Sequence, residues 1–274
     1  MKNLTKIMAI LTVVCMAFSL AACGNKNTAA DYSKSVDGAL VVAEAGSAGE
    51  ELATGDEFFA NAKFTAVDSM ATALLDVKSG TSDIAIVDYV TSIGSIGEGT
   101  DYTDLAVVEG KDFNPEEYGI AFRKGSDIVP AVNAAISELA AEGKMDEIAK
   151  NYKLDQLIIK DGKAFDDAVT EGVLAYIKEK GELIVGITLF APMNYYENDK
   201  LVGFETEFAE AVCEKLGVKA KFVEINWNSK EIELNAKNID CIWNGMTITE
   251  ERVANMSISV PYMQNKQVMV AKTK

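Results

Sequence analysis

Ile239-Asp-Cys-Ile-Trp-Asn-Gly-Met-Thr-Ile-Thr-Glu-Glu-Arg252 reads as a buried strand, a tight turn and the first turn of a helix. Cys241, Ile242 and Trp243 supply the strand. Gly245 lets the backbone turn without a Cβ clash. Thr249 is placed to cap the helix, and Glu250 and Glu251 suit the positive end of its dipole. Backbone N–H groups at such a turn, open to the carboxyl end of a strand, make a site for an anion. Arg252 sharpens that reading. The chain has 26 Lys and Arg residues, of which Arg123 and Arg252 alone are arginine. A guanidinium fork grips a carboxylate through two parallel hydrogen bonds, which an ammonium cannot do. The competing reading is an ordinary ion pair between Arg252 and a nearby acid.

An echo of this stretch lies earlier in the chain. Ile232 to Asn244 runs helix, Ala-Lys-Asn, Asp240, apolar residues, Asn244; Leu74 to Asp88 runs helix, Lys-Ser-Gly, Asp83, apolar residues, Asp88. The pair predicts two lobes built on one plan, each placing a polar side chain where a strand meets a crevice. The surrounding pattern agrees. Strands are expected at Leu40–Ala43, Lys63–Val67, Ile84–Val87, Tyr118–Phe122, Leu183–Ile187, Lys219–Glu224 and Gln267–Ala271. Between them fall helical patterns, such as Met70, Ala73, Leu74 and Val77 after a cap at Asp68 or Ser69, closed by Gly80. Further helices are expected over 128–139, 145–152, 169–180 and 204–216, while Asp112 to Glu117 reads as an acidic connector. Strands alternating with helices at this spacing mean α/β units with largely parallel sheets.

Composition narrows function. A length of 274 residues allows one or two domains with real cores, and a net charge of −16 argues against nucleic acid and anionic membrane surfaces as partners. There is no histidine, which removes Ser-His-Asp and Cys-His catalysis and histidine-based zinc sites. No cofactor, metal or catalytic residue is expected. Cys213 and Cys241 admit two readings, a disulfide or two buried thiols. Residues 1–22 read as a secretory leader, with Lys2 and Lys6 before an apolar run too short to span a membrane. The run ends Leu20-Ala-Ala-Cys23, similar to a bacterial lipobox, which implies a lipidated Cys23. Residues 23–36 are then a lipidated tether.

The second half resembles a known family. Lys178-Glu-Lys-Gly-Glu-Leu-Ile-Val-Gly186, Leu201-Val-Gly-Phe204, Asn238-Ile-Asp240, Gly245-Met-Thr-Ile-Thr-Glu-Glu-Arg252 and Pro261-Tyr262 are similar to the first lobe of amino-acid-binding lipoproteins of ABC importers, the family 3 type of solute-binding protein. The Gly46-Ser47 turn, Ser82 to Asp88 and Tyr118-Gly-Ile-Ala-Phe-Arg-Lys-Gly125 resemble the rest of that family. The order departs from the family's. Lobe 2 leads, at 37–112, and lobe 1 follows, at 113–274, with 113–160 matching the family's C-terminal part and 161–274 its N-terminal part. The resemblance therefore implies an α/β, two-lobed, periplasmic-binding-protein-like fold of type II with a hinge, circularly permuted by a cut in one of the two hinge crossovers. A monomer is expected, with a lobe-swapped dimer as the other arrangement.

The resemblance also implies a site. Arg252 clamps an α-carboxylate, with Thr247 and the Gly46-Ser47-Ala48 turn of the other lobe. Asp88 takes the α-ammonium beside Gly245 and Thr247, unless it only caps the next helix. Phe190 and Trp227 flank the ligand side chain or belong to the core, and Asn244 touches the ligand. Glu231 is a further candidate for reading a polar or cationic side chain. Thr188 and Ala48 depart from the residues frequent at their positions, which leaves ligand identity open. The implied activity is non-enzymatic: a Venus flytrap at the extracytoplasmic face of a bacterial cell membrane, delivering an amino acid to an ABC permease. The rivals are a sensory lipoprotein and a dehydratase on the same fold.

Overall fold

The computed structural model describes residues 29, 31–165, 169 and 172–273. The expected leader, Cys23 and residues 24–28 of the tether lie outside the described residues. The first part of the chain supplies β1 (Leu40–Glu44), α1 (Ala48–Gly55), β2 (Lys63–Val67), α2 (Met70–Ser79), β3 (Ile84–Asp88), α3 (Tyr89–Ser95) and β4 (Leu105–Val107). Next come β5 (Pro115–Tyr118), β6 (Ala121–Arg123), α4 (Ile128–Ala141) and α5 (Lys144–Asn151). The remainder holds α6 (Val173–Lys180), β7 (Glu182–Ile187), β8 (Tyr195–Glu197), β9 (Lys200–Val202), α7 (Phe204–Leu216) and β10 (Lys219–Glu224). It ends with α8 (Lys230–Asn235), β11 (Cys241–Ile242), α9 (Glu250–Asn255), β12 (Met256–Ile258) and β13 (Met263–Lys272).

These strands form two large sheets, in the orders β2-β1-β3-β13-β4 and β10-β7-β11-β6-β12. In the first, β1 is parallel to β2 and β3, and β13 runs antiparallel to β3 and β4. In the second, β7 is parallel to β10 and β11, and β6 runs antiparallel to β11 and β12. The two lobes thus share one plan, an antiparallel strand in the fourth place of a parallel sheet. This is the two-lobed α/β architecture that the resemblance implies.

The echo between the lobes extends to single atoms. Asp83 Oδ2 accepts the Leu40 N–H at 2.8 Å, and the Asp83 N–H donates to the Leu40 carbonyl at 2.9 Å. Asp240 Oδ2 accepts the Ile184 N–H at 2.8 Å, and the Asp240 N–H donates to the Ile184 carbonyl, also at 2.8 Å. In each lobe this aspartate pins the entry of the third strand to the start of the first, and so sets their register. Packing completes the sheets. In lobe 2 Val41, Ala43, Ile84, Ile86, Met269 and Ala271 face one core, and Val42, Ala85, Val87, Val268 and Val270 face another. Alternation along each strand divides them, and both faces are covered, as a largely parallel sheet requires.

Four expectations change. The connector 112–117 runs into a strand, since Pro115 opens β5, a place where its missing N–H is tolerated. Residues 263–272 belong to the sheet of β1 and β3, so the division 113–274 does not hold to its end: hydrogen bonding to β3 and β4 places β13 in lobe 2. Both crossovers are continuous, with β5 antiparallel to β13 through Tyr118↔Met263 to Pro115↔Lys266. Finally, the tether packs on lobe 2 through Ala29, Tyr32 and Val36. Tyr32 and Val36 are buried in the lobe 2 core, and the Ala29 N–H donates to the Lys272 carbonyl at 3.0 Å. Two apolar side chains four residues apart outweigh the polar composition around them.

The expected helix over 169–180 is described from Val173, after Gly172 at φ 108°. Cys213 and Cys241 are both buried free thiols.

The paired aspartates give a test. Asp240 is buried and also binds Lys180 at 2.6 Å and Arg123 at 3.5 Å, whereas Asp83 holds only a peripheral strand end. Asp240→Ala should cost about 3 kcal/mol by leaving half-buried cations unpaired, and Asp83→Ala about 1 kcal/mol. Urea unfolding of the two variants checks the ranking; equal losses would remove the distinction.

Candidate functional site

Where the lobes meet, they enclose a narrow cavity. Ser47, Ala48 and Asp88 line it from lobe 2; Phe190, Trp227, Asn244, Gly245, Thr247 and Arg252 line it from lobe 1. Of the residues expected at the ligand, Gly46 alone stands behind the wall. Its carbonyl instead takes Lys230 Nζ at 2.8 Å and Arg252 at 3.4 Å from the opposite lobe. Glu44 and Met70 also line the cavity, and nothing in the sequence reading singled them out. Glu231, in α8, does not line it.

Each side chain is placed by local rules. Thr249 caps α9, accepting the Arg252 N–H at 3.2 Å, which sets Arg252 in the first turn facing inward. The guanidinium donates to the Thr247 carbonyl and to Glu51 Oε1, both at 2.8 Å. The ordinary ion pair is therefore present, reaching across to the other lobe. With the bond to Gly46, three of five N–H donors are used, both of those on Nη2 among them, so a forked grip on a carboxylate would take the place of Glu51 or Gly46. Gly245 adopts φ +53°, and a Cβ there would stand 2.9 Å from Phe190. The turn and the aromatic wall require glycine together.

Asp88 sits at the N-cap of α3 but makes no side-chain capping bond. Its carboxylate accepts instead from Asn265 Nδ2 at 2.8 Å and from Gln267 Nε2. The same two amides donate to Glu116 Oε2 at 2.9 and 3.0 Å, which also accepts the Thr247 hydroxyl at 3.0 Å. Hinge strands thus join Thr247 of one lobe to Asp88 of the other. Asn244, the counterpart of Asp88, accepts the Thr188 hydroxyl at 2.5 Å and donates to the Thr188 carbonyl at 2.9 Å. Beneath Gly245, buried Glu205 accepts the Gly245 N–H at 2.8 Å, Asn194 Nδ2 at 2.9 Å and the Tyr262 hydroxyl. Glu51, Glu116, Asn265, Gln267 and Glu205 escaped sequence reasoning, because their roles depend on neighbours 40 or more residues distant.

Burial governs the acids. It pushes the Glu205 carboxyl up to about 7 against its three hydrogen bonds, and Glu44 up to about 8, with Asp88 adding to the rise and Lys230 opposing it. Asp88 is raised by burial and then by Glu116, with the Gln267 and Asn265 amides opposing. In the unfolded chain these groups ionise near pH 4. The folded state therefore holds more protons from about pH 4 to about pH 8, and stability falls as pH rises through that window. The urea midpoint should drop between pH 5 and pH 8, and Glu205→Gln should flatten the slope. A midpoint that climbs over the same range would contradict the assignment.

Residues 183–274 match the family model described as bacterial extracellular solute-binding proteins, family 3. The L-cystine-binding protein TcyJ of Escherichia coli (strain K12) is 38% identical over 102 residues, covering 36% of this chain and 37% of its own length. The L-cystine-binding protein TcyA of Bacillus subtilis (strain 168) is 33% identical over 115 residues, 41% of this chain and 42% of its own length. The arginine-binding extracellular protein ArtP of the same organism is 33% identical over 94 residues, 34% and 37% respectively. Among solved structures, an ancestral cationic amino acid solute binding protein is 33% identical, with TM-score 0.29, over 30% of this chain and 37% of that one. The chain spans about two fifths of the length of the curated relatives it matches. Residues 183–274, which contain the strand–turn–helix around Gly245 and Arg252, are thus similar in sequence to the bacterial extracellular solute-binding proteins of family 3.

Proposed function

We propose that this chain is an extracytoplasmic solute-binding protein that closes its two lobes on a free amino acid and delivers it to an ABC permease. One observation carries the reading: Arg252 and Asp88 enter a single cavity from opposite lobes, with Phe190 and Trp227 in the same wall. A zwitterion needs a bidentate donor for its carboxylate and an acceptor for its ammonium at fixed separation. Arg252 takes the first role, with Thr247 and the Ser47-Ala48 turn, and Asp88 takes the second. Gly245 and Asn244 complete the wall, and Phe190 and Trp227 enclose the side chain.

Ligand then binds by selection of the closed arrangement, because only there do both lobes touch it. Cross-lobe bonds from Lys230 to Gly46 and from Arg252 to Glu51 and Gly46 hold the rim. Close packing holds it too: a Cβ on Gly94 of α3 would lie 2.6 Å from Pro192. The curated relatives are named as binding proteins, which supports binding over dehydration. Among the described residues no helix is long and apolar enough to cross a membrane. Lipidation at Cys23 belongs to this proposal. A circularly permuted order does as well, supported by the identical sheet plans with the antiparallel strand first in one lobe and last in the other. Both walls come from one chain, which supports a monomer.

Thermal-shift screening against the common amino acids and cystine is the direct test. A ligand at a thousand times its dissociation constant stabilises the fold by about 4 kcal/mol. For the ligand so found, Arg252→Lys should cost about 2 kcal/mol of binding by losing the fork geometry. Unchanged affinity by calorimetry would remove Arg252 from the carboxylate.

A further inference from the structure

Glu44 closes β1 and lines the cavity, yet neither the family-like motifs nor the zwitterion grip uses it. Its side chain is buried, at 3% exposure, and Oε1 has no hydrogen-bond partner. The nearby cations are committed elsewhere. Lys230 donates to the carbonyls of Gly46 at 2.8 Å and Trp227 at 3.4 Å, and stands 4.8 Å from the centre of the Trp227 ring. Arg252 pairs with Glu51. Among the described residues Glu44 has no ion-pair partner within 4.0 Å, so the cavity holds two acids, Glu44 and Asp88, against one guanidinium.

An unpaired buried carboxyl is costly, and natural proteins rarely keep one without a use. A neutral zwitterion bound through Arg252 and Asp88 leaves Glu44 as it is. A second positive group on the ligand, carrying N–H donors, would satisfy the orphan oxygen. We propose that Glu44 selects amino acids with a cationic side chain, its Oε1 accepting an N–H from the terminal ammonium or guanidinium. The inference rests on reading the cavity as an amino-acid site. Burial fits this role, since a carboxyl raised to about 8 regains its ordinary acidity when a cation arrives beside it.

The test is calorimetry of the full chain with L-arginine, L-lysine, L-glutamine and L-methionine, for the wild type, Glu44→Gln and Glu44→Met. Glu44→Gln keeps the shape, and Glu44→Met keeps the volume while removing the buried acid, so both should melt at least as high as the wild type without ligand. The proposal expects arginine or lysine to bind the wild type tightest. Both variants should then weaken the cationic ligands about tenfold or more, with the uncharged ligands little changed. An uncharged ligand binding tightest, or a cation preference unchanged in both variants, would overturn it while leaving the amino-acid site standing. Binding of no amino acid by the wild type would overturn the site reading itself, and this proposal with it.

Discussion

Residues 115–118 and 263–266 run antiparallel as the two strands that connect the lobes, and the arrangement of everything else follows from that pairing. It fixes where one sheet stands against the other, and so which strand ends share the crevice. The pairing also carries chemistry. Glu116 on one strand and Asn265 and Gln267 on the other form a hydrogen-bonded cluster that reaches Thr247 in one lobe and Asp88 in the other. A hinge of two strands bends as a unit, and here the bending element holds the cavity's polar groups directly. Burial favours the protonated form of Asp88, and Glu116 beside it adds to that rise.

Twin architecture explains how few residues build the site. Each lobe ends its third strand at the crevice, and each anchors that strand through one aspartate bonded reciprocally to the start of the first. The residues at the strand ends, Asp88 and Asn244, occupy matching places with different chemistry, one charged and one neutral. The chain order breaks the symmetry further, since the antiparallel strand opens one lobe and closes the other. Packing of Tyr32 and Val36, with the Ala29 bond to Lys272, ties the first described residues to the end of β13.

Much of this was legible from local signals. Ser69 and Thr249 cap the expected helices, Gly80 and Gly217 end theirs in the left-handed conformation, and Met70, Ala73, Leu74 and Val77 are buried on one helical face. The repeat of Asp83 and Asp240 before buried strands exposed the twofold plan. The placing of Arg252 was also readable, because a capping threonine three residues earlier fixes its position in the first turn. The strand at Pro115 was masked by acidic and proline residues, whose edge and hinge roles need a partner strand to become visible.

The sequence by itself determined the main helices and the central strands, the doubled lobe plan and the stretch that presents Arg252, because caps, periodicity and glycine conformations act within a few residues. Only the tertiary structure decided which acids matter. Glu44, Glu51, Glu116 and Glu205 look alike in the chain, one among 42 acidic residues each. They separate once folding buries Glu44 without a partner, lays Glu51 across from Arg252, ties Glu116 to the hinge amides and sets Glu205 beneath Gly245. The energy of a carboxylate depends on its solvent exposure and its partners, and both are fixed by residues far away in sequence.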